Sequence, residues 1–302
     1  MNEFYWSNQE DNLLKSLYIK KESKMNVLLS FPHRSYGAIK HRAKFLKIRK
    51  TRTQIKDEKF FEIPNEINCS IAGMIASDGN VQKSKKKNGF RLIMCLKRED
   101  EPILKDIITT TKSNANILQQ KVNRKLLGSK VRLVDNPQFK DYFSSTVTFS
   151  SAKKWMDDLQ KYWNITENKS LTLTAPSFND LNLSLAYILG IINGDGTIGI
   201  QKTGNKNYFY IRLLGTRNLL EWAKNRFEEA LREKIDGEVH VERDGASVYL
   251  LQVNGIQAIK LFEQMRVLNC IQLARKWSNP QILKLVEDYK LKNPSLFPLN
   301  PI

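Results

Sequence analysis

The stretch ILGIINGDG, residues Ile188–Gly196, decides the fold, because a second stretch, IAGMIASDG at Ile71–Gly79, has the same shape. In each, an apolar run with glycines lasts two helical turns, then one aspartate appears, then a glycine. Asp78 and Asp195 lie 117 positions apart, about the length of one small domain. A repeat with one acid at the same place in each copy is hard to produce by packing alone. The chain therefore reads as two copies of one unit behind a separate N-terminal module.

Each run suits a buried helix. Ile71, Met74 and Ile75 recur at helical spacing, as do Ile188, Ile191 and Ile192. Gly73 with Ala76 and Ser77, and Gly190 with Gly194, place small residues on one face, which lets two helix backbones approach closely. Gly79 and Gly196 are expected to stop the helices in the left-handed conformation that glycine adopts at little cost. Two helices packed side by side bring Asp78 and Asp195 out at the same end, the negative pole of both helix dipoles. Two carboxylates there repel unless a cation joins them, and hard ions such as Mg²⁺ prefer oxygen donors.

These nine-residue stretches resemble the signature of the LAGLIDADG homing endonucleases, with Ala76 and Asn193 at the position of its first aspartate. That position varies in the family; the acid that matters is the last one, Asp78 and Asp195 here. The resemblance covers about residues 66 to 270. It implies an α+β fold of two pseudo-symmetric αββαββα repeats forming a DNA-binding saddle. It also implies that Asp78 and Asp195 each bind Mg²⁺, or Mn²⁺ in its place, with the carbonyls of Ser77 and Gly194 nearby. Each acid would serve one strand, giving a staggered double-strand break.

The composition agrees with a polyanionic partner. Lys plus Arg number 49 against 31 Asp plus Glu, a net charge of +18, which supplies sequence-independent affinity for phosphate. No apolar stretch approaches the roughly 20 residues of a membrane span, and the first residues show no secretory pattern. The expected place is inside the cell with its DNA, in a bacterial or phage-infected cytoplasm or an organelle. Cys69, Cys95 and Cys270 are scattered and odd in number, so they form neither a disulfide framework nor a zinc site; each is expected to pack in an apolar setting. His33, His41 and His240 are too few for a His-metal nuclease motif.

Residues 1–50 read as a three-helix unit. Ser7 and Glu10 form a capping box, and Leu13, Leu14, Leu17 and Tyr18 line a first helix. A short second helix lies around Asn26–Ser30. A third, Ser35–Leu46, buries Ala38, Ile39, Ala43 and Leu46. No acid occurs from Ser23 through Lys56, where ten Lys or Arg fall. With Trp6 and RSYGAIKHRAKFL, this unit resembles a Myb/SANT-like helix-turn-helix, which implies DNA contacts from Arg34, Ser35, Tyr36, Lys40, His41 and Lys44.

The remaining chain divides into a linker at 51–66, a first repeat at 67–165, a linker at 166–182, a second repeat at 183–270, and a C-terminal helix and tail at 271–302. Long acid-free basic runs follow each aspartate, while acids such as Glu221, Glu228, Glu229 and Glu233 collect in helical stretches. The strands thus present a positive face with the helices behind. Along β periodicity the residues expected on DNA are Asn80, Gln82, Ser84, Lys86, Arg91, Lys97 and Arg124 in the first repeat. In the second they are Thr197, Gln201, Tyr210 and Arg212. Lys97 is the one candidate for a basic residue that orders active-site water.

The reading is a monomeric, metal-dependent, site-specific endonuclease for double-stranded DNA with a long target. Two others stay open: a group I intron RNA maturase using the same saddle, and a transcription regulator that binds DNA without cutting it. The presence of both acids favours the nuclease.

Overall fold

The computed structural model describes residues 6–19, 24–48, 54–83, 89–121, 143–167, 169–204, 206–242 and 248–297. Two compact units emerge, Met1–Thr53 and Gln54–Ile302. In the first, α1 (Asn8–Ile19), α2 (Lys24–Leu29) and α3 (Tyr36–Phe45) enclose a core of Leu14, Tyr18, Val27, Phe31, Ile39 and Ala43. The Ser7–Glu10 capping box forms in both directions, at 2.8 and 3.1 Å. The acids of α1 answer the arginines around α3. Arg42 grips Asp11 with two bonds of 2.8 and 2.7 Å, and Arg34 pairs with Glu10 at 3.1 Å. These partners hold both carboxyls below the usual range. Ala38, expected inside, is exposed, because α3 turns Ile39 and Ala43 inward and Ala38 lies a full 100° step away.

The second unit carries the two expected repeats. The first is α4 (Glu66–Asp78), β1 (Gly79–Lys83), β2 (Phe90–Lys97), α5 (Glu101–Thr110), β3 (Ile117–Lys121), β4 (Phe143–Phe149) and α6 (Lys153–Trp163). A short α7 (Lys169–Thr172) separates it from the second, α8 (Leu181–Asn193), β5 (Thr197–Thr203), β6 (Lys206–Gly215), α9 (Arg217–Leu231), β7 (Val239–Val241), β8 (Tyr249–Asn254) and α10 (Gly255–Arg266). Two further helices follow, α11 (Ala274–Trp277) and α12 (Pro280–Lys292). Each repeat forms a four-stranded antiparallel sheet, ordered β1-β2-β4-β3 and β5-β6-β8-β7. Strand alternation gives each sheet a buried face, exemplified by Leu92, Met94 and Val147 in one and by Phe209, Ile211 and Leu251 in the other. The opposite faces stay open. Cys95 lies on an open face and is exposed, unlike the buried Cys69: it shares the strand parity of Arg91 and Lys97, not that of Leu96.

α4 and α8 pack backbone to backbone. A Cβ on Gly73 would fall 2.1 Å from the Tyr187 carbonyl oxygen, and one on Gly190 would fall 2.0 Å from that of Ser70. The sites expected of Gly79 and Gly196 are filled differently. Gly79 is extended, at φ −73° and ψ 144°, and neither glycine has a left-handed φ. What requires glycine is space: a Cβ would meet the Ile75 carbonyl oxygen or the Ile192 Cα at 2.5 Å.

Residues 54–63 do not behave as a free linker. Lys56 is buried and donates to the carbonyls of Ser151 at 3.0 Å and Ser150 at 3.3 Å. Gln54 bonds the backbone of Thr148 and Ser150. Phe61 is fully buried between the rings of Trp155 and Trp163. The cause is the Phe60–Phe61 pair, whose apolar area is stable only inside the repeat.

The tail of each repeat reaches the other. After α6, the Leu173 carbonyl accepts from the Thr216 hydroxyl at 2.5 Å and the Ala175 N–H donates to Asn218 at 3.1 Å. After α10, Arg275 Nε donates to both carboxylate oxygens of buried Asp100, at 2.9 and 3.1 Å, and the Asn269 N–H donates to Glu66 at 2.7 Å.

Gly73→Ala is expected to cost about 3 kcal/mol or more, because backbone, not a movable side chain, occupies the space. Gly37→Ala has 3.7 Å to its nearest neighbour and is expected to be neutral or to gain up to about 1 kcal/mol of helix propensity. Urea unfolding of both variants checks the contrast; equal costs would remove the close-approach argument.

Candidate active site

The contact at Gly73 and Gly190 carries both helices to a common end. There Asp78 lies against α8: a Cβ on Gly194 would come within 3.1 Å of Asp78 Oδ2 and 2.0 Å of Ser77 Oγ. The glycine thus makes room for the acid of the other repeat. Asp78 is half-buried and Asp195 exposed. Burial, and then the charge of Asp195, push the Asp78 carboxyl up to about 6, against the opposing pull of Lys276, Lys169 and Arg275.

Two lysines, missed in the sequence, anchor the two helix ends. Lys169 donates to the carbonyls of Ala76 at 2.7 Å and Ser77 at 2.8 Å. Lys276 is ringed by the carbonyls of Ile192, Asn193, Gly194 and Gly196 at 2.6–2.9 Å. Each follows its own repeat, so the arrangement is pseudo-symmetric. Desolvation lowers both ammonium pKa values, that of Lys276 to about 8 with Arg275 adding to the effect. The negative helix poles and the acids favour the charged form. Asn193, at the variable signature position, fixes the second lysine in place. Its buried side chain donates to the Ile271 carbonyl at 2.9 Å and accepts from the Leu273 N–H at 3.1 Å and Trp277 Nε1 at 2.8 Å. Ala76 takes that position in the first repeat and offers no such bonds.

The donor set fits a hard divalent cation. Two carboxylates, one from each repeat, lie close enough that the charge of Asp195 raises the Asp78 pKa despite the nearby cations, and the carbonyls of the two helix ends are there as well. The Ser77 and Gly194 carbonyls each already accept a lysine N–H, so their second lone pairs are what remains for an ion. Among the described residues no group of three or more His, Cys, Asp or Glu forms a closed cage. An open site of this kind suits Mg²⁺, which keeps waters and takes one or two carboxylates plus substrate phosphate. A cavity of about 360 Å³ opens beside it, lined by Ser77, Lys169, Asp195, Thr216 and Glu242 among others.

Lys97 is exposed at the end of β2, opposite Ser144. Asn80, Gln82 and Arg91 are exposed on the open face of the first sheet, where Gln82 pairs with Arg91 and Asn80 with Ile93. Thr197, Gln201, Tyr210 and Arg212 share the open face of the second. Ser84, Lys86 and Arg124 lie outside the described residues. In the N-terminal unit Lys40, His41 and Lys44 are exposed on α3 and Tyr36 is half-buried. Ser35 caps the helix through the Ala38 N–H at 3.1 Å. Arg34 is held by Glu10 and lies 4.9 Å from the Trp6 ring centre.

No protein-family model matches the sequence, and no curated protein does. Solved structures with a similar arrangement include the LAGLIDADG homing endonuclease I-GzeII in complex with its DNA target, at 11% identity and a TM-score of 0.48, over 79% of this chain and 94% of that one. The LAGLIDADG meganuclease I-AabMI bound to uncleaved DNA aligns at 13% identity and 0.47, over 76% and 92%. I-DmoI in complex with DNA and Ca aligns at 16% and 0.43, over 76% and 99%.

Because the folded protein binds the Asp78 proton more tightly than the unfolded chain, its stability falls as pH rises from about 4 through 6. Asp78→Asn is therefore expected to stabilise the protein in EDTA at pH 7.5 by about 1–2 kcal/mol, discounted for partial exposure, with the gain shrinking below pH 5. Urea unfolding at the two pH values checks the sign; a gain that grows on acidification would refute it. Lys276→Met, which strips four carbonyls of their partner, is expected to cost about 2–4 kcal/mol, and Lys169→Met about half of that. Equal costs in the same assay would contradict the unequal anchoring.

Proposed function

We propose that this chain is a metal-dependent endonuclease that makes a staggered double-strand break at a long, specific site in DNA. The observation that carries the reading is the pairing of Asp78 and Asp195, one acid from each repeat, at the joined ends of two helices, each acid just ahead of the first strand of an open-faced sheet. Paired acids of this kind suit metal-assisted phosphodiester hydrolysis, and the open faces and net charge suit a duplex. The similar structures solved with DNA agree with that substrate.

In this mechanism Asp78 and Asp195 hold divalent ions, Mg²⁺ or Mn²⁺, with help from the Ser77 and Gly194 carbonyls. Such an ion, when bound, activates a water and neutralises the leaving 3′ oxygen. The chain's own part is positional. Lys169 and Lys276 fix the helix ends, so that the carboxylates keep their places as charge changes around them. Lys169 also lines the cavity beside Asp195, where its ammonium can face a phosphate. Asn80, Gln82, Arg91 and Lys97 meet one half of the duplex, and Thr197, Gln201, Tyr210 and Arg212 the other. In the N-terminal unit α3 enters a major groove with Lys40, His41 and Lys44 outermost and Tyr36 beside them, while Ser35 and Arg34 hold the helix start. The protein acts as a monomer, since both acids come from one chain.

Incubation with a randomised duplex library and Mg²⁺ is expected to give cut products with a shared sequence. Asp78→Asn and Asp195→Asn are each expected to reduce double-strand cutting ~10²-fold or more, leaving nicks at most. Duplex binding without cutting in either Mg²⁺ or Mn²⁺ would sink the nuclease mechanism.

A further inference from the structure

The two sheets differ at one register position. In the second sheet Arg212 pairs with Thr197, two residues beyond Asp195, and on its other side with Gln252. In the first sheet the residue paired with Asn80, two beyond Asp78, is Ile93, and Ile93 pairs with Thr148. The pseudo-equivalents of Arg212 and Gln252 are thus Ile93 and Thr148.

Arg212 is not a loose surface cation. Its Nε and Nη2 both donate to Gln252 Oε1, at 2.9 and 2.6 Å, and Gln252 Nε2 donates on to Asn254 at 2.7 Å. Its guanidinium carbon lies 5.2 Å from the Tyr210 ring centre. Tyr210 is in turn laid across Gly199, where a Cβ would come within 2.7 Å of its hydroxyl. The five residues form a chain on the open face, from Gly199 through Tyr210, Arg212 and Gln252 to Asn254. A guanidinium has five N–H groups. Two go to Gln252, which leaves three, among them the end-on pair from Nη1 and Nη2. A half-buried arginine with its planar fork already fixed loses little entropy on binding, and the ligand edge that matches it in a major groove is guanine O6 with N7. Phosphate also takes arginine, but sequence-independent contact gives no reason to lock the fork to a glutamine and a tyrosine.

We infer that Arg212 is the specificity-determining residue of one half-site and reads a single guanine there, with Gln252, Asn254 and Tyr210 as its positioning residues. The matching position of the other half-site is faced by the methyl groups of Ile93 and Thr148 and carries no guanine requirement; a thymine methyl suits it. The target is therefore asymmetric at this register even though the fold is a repeat. This inference rests on the DNA reading given above and adds to it the identity of one base.

The test is selection of bound duplexes from a randomised library by the full chain in Ca²⁺, followed by sequencing. The wild-type protein is expected to enrich one position for guanine in one half-site only. Arg212→Ala is expected to flatten that position by about tenfold or more while the other enriched positions keep their bases. Gln252→Ala is expected to weaken the same preference without moving it. The double change Ile93→Arg with Thr148→Gln is expected to create a guanine preference at the mirrored position. Thermal melting of each variant confirms that it folds. Arg212→Ala protein that binds all duplexes more weakly with an unchanged base profile would make Arg212 a phosphate contact and overturn the inference. So would a wild-type profile with no guanine that depends on Arg212. Failure of the wild-type chain to enrich any duplex would instead overturn the DNA reading together with the inference.

Discussion

The approach of α4 to α8 is the constraint on which the rest depends. With Gly73 and Gly190 facing the opposing backbone, the two helices meet there with no side chain between them, and their ends become one place. Any residue with a Cβ at those points would part the helices and the two carboxylates with them. The glycines after the helices serve the same purpose: they let the first strand leave close beside its helix, so that each sheet starts at the site and runs outward from it. The position of the chemistry and the position of the sheets are thus consequences of one packing contact.

That contact creates an electrostatic problem at its end. Two helix C-termini and two carboxylates converge, all negative. The fold answers it with two lysines, each brought back by the tail of its own repeat to the carbonyls of its own helix. The answer is lopsided. The second lysine is fully encaged and its tail is pinned by Asn193, whereas the first has two carbonyls and an open cavity beside it. The two halves of the site are chemically alike and mechanically different.

Much of this was legible in the sequence. The repeated motif, the small residues on the helix face and the alternation in β2 led to the right elements and the right open faces. The capping box at Ser7 and the contrast between an acidic first helix and an acid-free third one led to the three-helix unit. What escaped were long-range partners. Lys169 lies in a stretch that reads as a linker and Lys276 in one that reads as a tail, and no local pattern distinguishes a lysine destined for carbonyls 80–93 residues away. Lys97 is the choice from sequence because it lies in a strand on the open face, and the structure places it exposed at the end of β2. Arg34 has the same lesson: sequence alone did not show that Glu10 of α1 comes to meet it. Cys95 could have been placed by parity alone.

The tails have a consequence for how such a molecule can be divided. Each repeat is completed not by its last helix but by the ten or so residues that follow, which anchor the C-terminus of its own first helix and clasp the neighbour at Thr216 and Asn218 or at Asp100 and Glu66. The unit of inheritance is therefore repeat plus strap. A gene duplication that copied this unit whole would produce two halves already able to fasten to each other. For the same reason, halves exchanged between relatives would have their natural seam beyond the strap, not at the end of α6.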